Sequence, residues 1–225
     1  SNTRSAAVTD QPYNPPPEPT LRAAILAGGG SIRMGTNKAL LRLSPSGPTV
    51  IEEVLDRLRD AGHDNPLLVT NSPDDYAFLH LDSVPDDIPG AGALGGILTA
   101  VRYSGASRTL VVACDMPLLS PALLQYMASV PGPYDALVPR LPMPDGTLRP
   151  EPLHAVYTPV CAEAAERLLA SGTRKVGALL DEVDTLYLEQ TDILRYDPAL
   201  LSFANANTPE EWERVRTNWA AEHAQ

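Results

Sequence analysis

The sequence predicts an α/β protein with a mostly parallel, doubly wound sheet and helices on both of its faces. Short apolar runs that fit buried strands alternate along the chain with segments of helical periodicity, which is the pattern of a parallel sheet covered by helices. The chain has 225 residues, of which 44% are hydrophobic, so it can bury one sizeable core. We therefore expect a single domain over residues 21–225, preceded by a proline-rich tail over residues 1–20 that is disordered or loosely docked.

The first half of the chain is expected to contain three strands. Each is a short apolar run, and "TLVVA" is the clearest of them. Before the second strand, Val54 and Leu58 stand at helical spacing in a segment that Gly62 closes. The expected elements are strand 21–26, helix 49–61, strand 66–70, an acidic and proline-marked loop over most of 72–90, helix 94–103 and strand 109–113.

The second half continues the alternation and ends in a helix. Pro121 suits the first turn of a helix, because its missing N–H would have no partner there in any case. The expected elements are helix 121–130, strands 135–139 and 152–157, helices 159–170 and 176–183, a weak strand 185–188 and a terminal helix 209–220.

The composition argues against several classes of protein. The net charge of −11 disfavours nucleic acid or an anionic membrane as the main partner, and no stretch is apolar and long enough to span a membrane. Cys114 and Cys161 are far apart and form no C-x-x-C pair, so we expect reduced thiols in a cytoplasmic protein. None of the four histidines has the spacing of a zinc ligand.

A glycine-rich loop, "AILAGGGSIRMGTNKALL" at residues 24–41, follows the first strand. It is not a P-loop, because Thr36 and Asn37 separate Gly35 from Lys38, and it is not a dinucleotide fingerprint, because Arg33 stands where the third glycine belongs. Bare backbone N–H groups still suit phosphate oxygens or the edge of a base. Arg33 and Lys38 would supply the cations that an acidic protein needs beside a phosphate.

Polar residues follow the other two strands of the first half. Asn71 comes after the second strand, and Asp115 in "VVACDMPLL" comes after the third. Ligands of open α/β sheets bind beyond the carboxyl ends of the strands, so these residues and the glycine loop are expected to share one site. A carboxylate at the end of a buried strand suits Mg²⁺, although a helix-capping aspartate is the alternative.

The glycine loop is similar to the signature L-A-G-G-x-S-x-R-M-G-x-D-K-x-L-L of the molybdenum cofactor guanylyltransferases and of the wider nucleotidyltransferases of their fold. Further motifs of this family occur in the same order, and the resemblance runs from about residue 21 to residue 216. These motifs are "VTN" (69–71), "DDIPGAGALGGI" (86–97), "VVACDMPLL" (111–119), "EPLHAVY" (151–157) and "NANTPEE" (205–211). The fold implied is a Rossmann-like sheet of the nucleotide-diphospho-sugar transferase type.

The resemblance implies guanylyl transfer from GTP to molybdopterin carrying molybdenum, with release of pyrophosphate and with Mg²⁺ as cofactor. Arg33, Lys38 and Asp115 would be the catalytic residues, because they neutralise charge on the transferring phosphate. The residues implied to bind the nucleotide are Leu26, Ala27, Gly28 and Gly29 on the guanine and ribose side, Lys38 at the triphosphate, Asn71 and Asp87, and Asp115, which would also hold the metal. Asn205 and Asn207 would line the acceptor side.

The acceptor ends in a phosphate and therefore also needs cations. Arg174 and Lys175 are the only adjacent basic pair in the chain, so we expect them to bind the acceptor, with a solvated helix start as the alternative. An enzyme that makes so labile a cofactor can hand it to an accepting enzyme or chaperone. The acidic segment 72–87 is a candidate surface for that partner, or else a solvated loop.

Two positions depart from the family pattern, and one assignment remains open. Asn37 stands where the family usually has Asp, and Ala93 replaces the usual Pro. Either Asp86 or Asp87 could contact the nucleotide, and the spacing to Pro89 favours Asp87. Three other functions remain as alternatives. Two keep the fold and transfer CMP to molybdopterin or a nucleotide to a sugar phosphate, and the third is a non-catalytic nucleotide-binding module.

Overall fold

The computed structural model describes residues 19–28, 32–33 and 36–224, so the expected tail lies almost wholly outside the described residues. The main sheet has the strand order β5-β4-β1-β6-β9-β7-β10, and β8 pairs with β7 beside it; β2 and β3 form a separate two-stranded ribbon. The strands are β1 Leu21–Leu26, β2 Ile32–Arg33, β3 Thr36–Asn37, β4 Leu67–Val69, β5 Ser83–Val84, β6 Arg108–Ala113, β7 Ala136–Pro142, β8 Leu148–Pro150, β9 His154–Tyr157 and β10 Thr185–Leu188.

The sheet is mostly parallel, as the sequence predicts. β1 pairs in parallel with β4 and with β6, and β4 pairs in parallel with β5. β9 runs antiparallel to both of its neighbours, β6 and β7, and β10 is again parallel to β7. The α/β fold class is confirmed.

Helices cover both faces of this sheet. One core cluster holds Ile51 and Leu55 of the first helix with Leu123 of the third. The other core cluster holds Ile97 of the second helix with Ala164 of the fourth. The helices are α1 Val50–Asp60, α2 Gly92–Tyr103, α3 Pro121–Ser129, α4 Pro159–Ala170, α5 Val176–Glu182, α6 Gln190–Ile193 and α7 Pro209–Glu222, and three 3₁₀ helices span Lys38–Leu40, Pro73–Leu79 and Leu201–Phe203.

Several short elements were not expected from the sequence. The segment 72–90 contains the 3₁₀ helix Pro73–Leu79 and the strand β5, where a loop was predicted. β8 and α6 were also missed. These elements are too short to show periodicity, and β5 and β8 exist because a longer neighbouring strand offers them backbone partners.

The register of the three central strands gathers the residues that follow them. Leu26 at the end of β1 lies opposite Val69 of β4 on one side and Ala113 of β6 on the other. Because the three strands are parallel and end level with one another, the loops that follow them leave the same edge of the sheet. Within the described part of the chain, no helix combines the length and the apolar character needed to cross a membrane.

Candidate active site

A cavity of about 430 Å³ opens at the carboxyl ends of β1, β4 and β6. The loops after these strands, the start of α2 and the segment before α7 form its wall. The residues that line it are Leu26, Gly28, Val69, Asn71, Asp86, Gly90, Gly92, Ala93, Gly96, Ala113, Cys114, Asp115, Leu153 and Asn207.

Two glycines in this wall allow close packing. A Cβ atom added to Gly28 would stand 3.0 Å from Oδ2 of Asp86, and one added to Gly96 would stand 2.9 Å from Cδ1 of Leu26. Any side chain at Gly28 would therefore press on the Asp86 carboxylate. Ala27 leaves β1 with its N–H bonded to the carbonyl of Val69 at 2.8 Å, which fixes the first step of the glycine loop. Gly29 and the side chain of Arg33 lie outside what the structure describes.

Asn71 and Asp86 form a reciprocal hydrogen-bonded pair beside the carboxyl end of β4. Asn71 Nδ2 donates to Asp86 Oδ2 at 3.1 Å, and the N–H of Asp86 donates to Asn71 Oδ1 at 2.9 Å. Burial raises the pKa of the Asp86 carboxyl, and the hydrogen bond from Asn71 opposes that rise. The pair holds a carboxylate at a fixed place in the cavity wall, close to Gly28.

Asp87 does not line this cavity, which departs from the sequence expectation. Its Oδ2 accepts a 2.6 Å bond from Arg102 of α2, and its N–H donates to Thr99 Oγ1 at 3.0 Å. Arg102 also contacts Glu166 of α4 at 3.0 Å, so Asp87 belongs to an ion-pair network on the helices. Successive side chains of a chain segment point in different directions, which is why spacing along the sequence could not separate Asp86 from Asp87.

Lys38 and Asp115 bring opposite charges to the same edge of the sheet. Lys38 Nζ donates to the backbone carbonyl of Asn207 at 2.9 Å. Asp115 is half-buried, and burial raises the pKa of its carboxyl, whereas a hydrogen bond from its own backbone N–H and the positive charge of Lys38 lower it. The charge of Glu211 raises the pKa of Asp115 further. A cation bound at Asp115 would stabilise the ionised form of the carboxyl, as the charge of Lys38 does, and so oppose the effect of burial.

The residues expected on the acceptor side lie in different surroundings. Asn207 lines the cavity, and its N–H donates to Glu211 Oε2 at 2.9 Å. Arg174 is exposed and donates through Nη1 to the carbonyl of Gly90, on the loop that lines the cavity. Lys175 is exposed at the start of α5, and Asn205 is half-buried outside the cavity wall.

A family model described as the MobA-like NTP transferase domain matches residues 23–186. The chain belongs to this family. A relative from Chloroflexus aggregans named as a probable molybdenum cofactor guanylyltransferase is 34% identical over 193 residues, which are 85% of this chain and 91% of the relative. The predicted resemblance to the molybdenum cofactor guanylyltransferases is confirmed.

Solved structures of similar proteins support the fold assignment. Molybdopterin-guanine dinucleotide biosynthesis protein A from Archaeoglobus fulgidus matches with a TM-score of 0.73 and 28% identity, covering 89% of this chain and 99% of that one. A protein from Mycobacterium tuberculosis H37Rv in complex with manganese matches with a TM-score of 0.54 and 18% identity, covering 88% of this chain and 98% of that one. The second match shows a shared fold only.

The donor set of this MobA-like NTP transferase fits a weakly held divalent cation. In the residues that the structure describes, no cluster of three or more His, Cys, Asp or Glu side chains could enclose a metal. Mg²⁺ needs no such cage, since it keeps several waters and is usually bound by one or two carboxylates together with substrate phosphates. Asp115, a hard oxygen donor in the wall of the cavity, suits that mode of binding.

Glu211 supports the segment that carries Asn207 into the cavity wall, and sequence reasoning did not single it out. Its Oε2 accepts from the N–H groups of both Asn207 and Thr208, while Thr208 Oγ1 accepts from the N–H of Glu211 at 3.1 Å. This reciprocal capping box fixes the start of α7 beside the cavity. The pattern T-x-x-E in "NANTPEE" could have identified it.

Proposed function

We propose that the chain transfers a guanylyl group from GTP to molybdopterin or to the molybdenum cofactor, and releases pyrophosphate. The observation that carries this proposal is the reciprocal Asn71–Asp86 pair in the same cavity as Asp115. The two features suit the two ends of a nucleoside triphosphate: the Asn71–Asp86 pair suits the base, and Asp115 suits the phosphates. The name borne by the Chloroflexus relative supports the choice of GTP and of this acceptor.

Asp86 is well suited to the guanine base. The Watson–Crick edge of guanine carries two neighbouring donors, the N1–H and the 2-amino group, and a carboxylate can accept from both. Cytosine offers only its 4-amino donor, and the corresponding edge of adenine offers only its 6-amino group. Asn71 keeps the carboxylate oriented, and Gly28 leaves room beside it. We therefore assign the base contact to Asp86, while Leu26, Ala27 and Gly28 form the floor on which the base and ribose rest.

Lys38 and Arg33 would bind the triphosphate, with Asp115 holding Mg²⁺ next to it. When bound, the metal neutralises negative charge on the phosphates. Lys38 adds a movable positive charge at the end of a long side chain. Gly29, within the glycine loop, would leave its backbone N–H free to approach a phosphate oxygen.

The reaction needs no strong general base. The terminal phosphate of the acceptor is already an anion, and one of its oxygens attacks the α-phosphorus of GTP. The new P–O bond forms as the bond from the α-phosphorus to the bridging oxygen breaks, and that oxygen leaves with pyrophosphate. What the protein must supply is positioning of two polyanions and neutralisation of their charge, which Lys38 and its neighbours can provide.

The acceptor would enter from the side of Asn207 and Arg174. Asn207 faces the cavity, and Arg174 touches the loop that lines it. Lys175 and Asn205 lie near these residues in sequence and would extend the acceptor surface. A cofactor-accepting protein could receive the product on this side, and the cytoplasm is the compartment that suits such an exchange.

The proposal is tested by calorimetric titration of GTP, CTP, ATP and UTP in the presence of Mg²⁺, followed by pyrophosphate release with molybdopterin. We expect GTP to bind most tightly and pyrophosphate to appear only when GTP and molybdopterin are both present. Tighter binding of CTP would point to the cytidylyl-transferring alternative. GTP binding without any pyrophosphate release would point to a non-catalytic nucleotide-binding module.

A further inference from the structure

Tyr76 belongs to the 3₁₀ helix Pro73–Leu79, in the segment that the sequence suggested was mostly loop. The tyrosine is 3% exposed and packs in the same core cluster as Ala39 and Cys114, the residues that follow Lys38 and precede Asp115. An almost fully buried tyrosine in an acidic surface segment needs a partner for its hydroxyl group. That partner is Asn37, whose Nδ2 donates to the Tyr76 hydroxyl oxygen at 2.9 Å.

Both ends of the Asn37 amide are engaged. While Nδ2 is bound to Tyr76, Oδ1 accepts from the N–H of Ala39 at 3.1 Å and caps the 3₁₀ turn that begins at Lys38. A side-chain amide is planar, so two opposite hydrogen bonds fix its orientation and its distance from each partner. The Asn37 amide therefore connects the backbone turn at Lys38 to Tyr76, a buried residue in another part of the chain.

We propose that Tyr76, acting through Asn37, is a positioning residue that holds Lys38 where it can meet the triphosphate. This inference rests on the proposed function, since it assigns Lys38 to the phosphates. Lys38 has a long, flexible side chain, and the position of its ammonium group depends on where the backbone turn is held. Without the Tyr76 bond, Asn37 could still cap the turn and Ala39 would still pack in the core, but the Asn37 amide at the start of the turn would lose its link to Tyr76.

The bond also accounts for the amide at position 37. An asparagine can donate to Tyr76 and accept from Ala39 at the same time, as observed. An aspartate would have to accept from both, so the tyrosine hydroxyl would turn to donate. Asn37→Asp is therefore expected to keep the link to Tyr76, with its direction reversed.

The experiment measures the affinity for GTP and for guanosine in Tyr76→Phe, which removes only the hydroxyl group. We expect GTP affinity to fall about three- to tenfold, the effect of one buried hydrogen bond, while guanosine affinity stays at the wild-type value. Guanosine lacks phosphates and so reports only on the base site. A general loosening of the structure would instead weaken the binding of both ligands and lower the melting temperature.

Two further variants make the test specific. Asn37→Ser keeps a capping oxygen but cannot reach Tyr76, so it should reproduce the loss for GTP, and the double variant should lose no more than either single one. Tyr134→Phe is the matched control: Tyr134 is also buried, with its hydroxyl bonded to Val130 O at 3.2 Å, but it precedes β7 at the opposite end of the sheet.

The outcomes separate this inference from the function on which it rests. If wild-type protein fails to bind GTP, the proposed function is wrong. If wild-type protein binds GTP and Tyr76→Phe binds it equally well, or if Asn37→Ser and Tyr76→Phe have additive effects, the positioning role of Tyr76 is wrong.

Discussion

The ammonium group of Lys38 donates a 2.9 Å hydrogen bond to the backbone carbonyl of Asn207, a residue 169 positions further along the chain. This bond connects the half of the site that follows β1 with the half that precedes α7. Glu211 holds Asn207 from the other side through the N–H of the same residue. An anionic phosphate is a stronger partner for an ammonium group than a neutral carbonyl, so binding of the triphosphate should draw Lys38 away from Asn207.

Lys38→Ala is expected to weaken GTP binding by about ten- to a hundredfold, the range for loss of a hydrogen bond to a charged group. Lys38→Arg should lose less, because it keeps the charge and changes only the geometry. Calorimetric titration of GTP measures both. Arg59→Ala, which removes an exposed cation of α1, serves as the control for the change in net charge. Equal affinity of Lys38→Ala and the wild type would show that Lys38 does not bind the nucleotide.

Asp115→Asn should lower turnover by roughly a hundredfold or more, since charge stabilisation at the phosphate would be lost together with the carboxylate. The substitution keeps the shape of the side chain, and its thermal unfolding should stay close to that of the wild type. Turnover is measured as pyrophosphate release over a range of Mg²⁺ concentrations. Asp145→Asn, in the exposed β7–β8 connection, controls for loss of a carboxylate elsewhere. Wild-type turnover of Asp115→Asn at saturating Mg²⁺ would exclude the metal-binding role.

Asp86→Asn and Asp87→Asn should affect different properties of the protein. Asp86→Asn removes one charged acceptor from the cavity wall and should reduce GTP affinity by about tenfold or more, while the weaker ATP binding changes little. Asp87→Asn weakens the bond to Arg102 and should leave the preference for GTP intact. Competition titrations of GTP against ATP measure both effects. The two variants are matched controls for each other, because they carry the same substitution at neighbouring residues. A loss of GTP preference in Asp87→Asn alone would restore the assignment that the sequence spacing favoured.

The sequence was sufficient to predict the central elements and the edge of the sheet on which the site lies. β1 and α4 have the predicted bounds, because each combines a clear apolar pattern with a clear stop, and the weaker strand β10 also has its predicted bounds. Asn71 and Asp115 line the cavity as expected, since parallel strands in level register bring their following residues together.

The sequence could not predict those features of the candidate site that depend on side-chain direction and on long-range contacts. The proposed choice of Asp86 over Asp87 rests on which side chain faces Gly28 and which faces Arg102. Tyr76 was not identified, because its role depends on a bond to Asn37 that is 39 residues away in sequence. Neither relationship leaves a periodic signal in the chain.

His154 should make the protein less stable in mild acid. It is fully buried beside Phe203, neither ring nitrogen has a hydrogen-bond partner among the described residues, and burial lowers its pKa to about 4, against the partly opposing charge of Asp197. The unfolded chain therefore binds the proton more readily than the folded protein. The stability that neutral, buried His154 contributes is fully present above the usual histidine pKa. It falls as the pH drops from about 6.5 towards 4.

The measurement is urea denaturation of the wild type and of His154→Phe at pH 7 and at pH 4.5. The wild type should lose about 2 kcal/mol more than the variant between these two pH values, since the variant lacks this proton. Other groups titrate in both proteins and cancel in the comparison. An identical pH dependence for the two proteins would mean that His154 is hydrated or paired in the native state.

Arg174 and Lys175, which we expect to bind the acceptor, can now be tested separately. Arg174 donates to the carbonyl of Gly90, so Arg174→Ala should loosen the loop that lines the cavity and weaken molybdopterin binding, with a smaller effect on GTP. Lys175 is exposed at the start of α5, so Lys175→Ala should weaken the binding of the acceptor only. Because an exposed cation acts mainly through its charge, the loss caused by Lys175→Ala should shrink as salt concentration rises. Titrations with GTP and with molybdopterin at two ionic strengths measure these effects, and loss of GTP affinity with intact molybdopterin affinity would reverse the assignment of the two sides of the site.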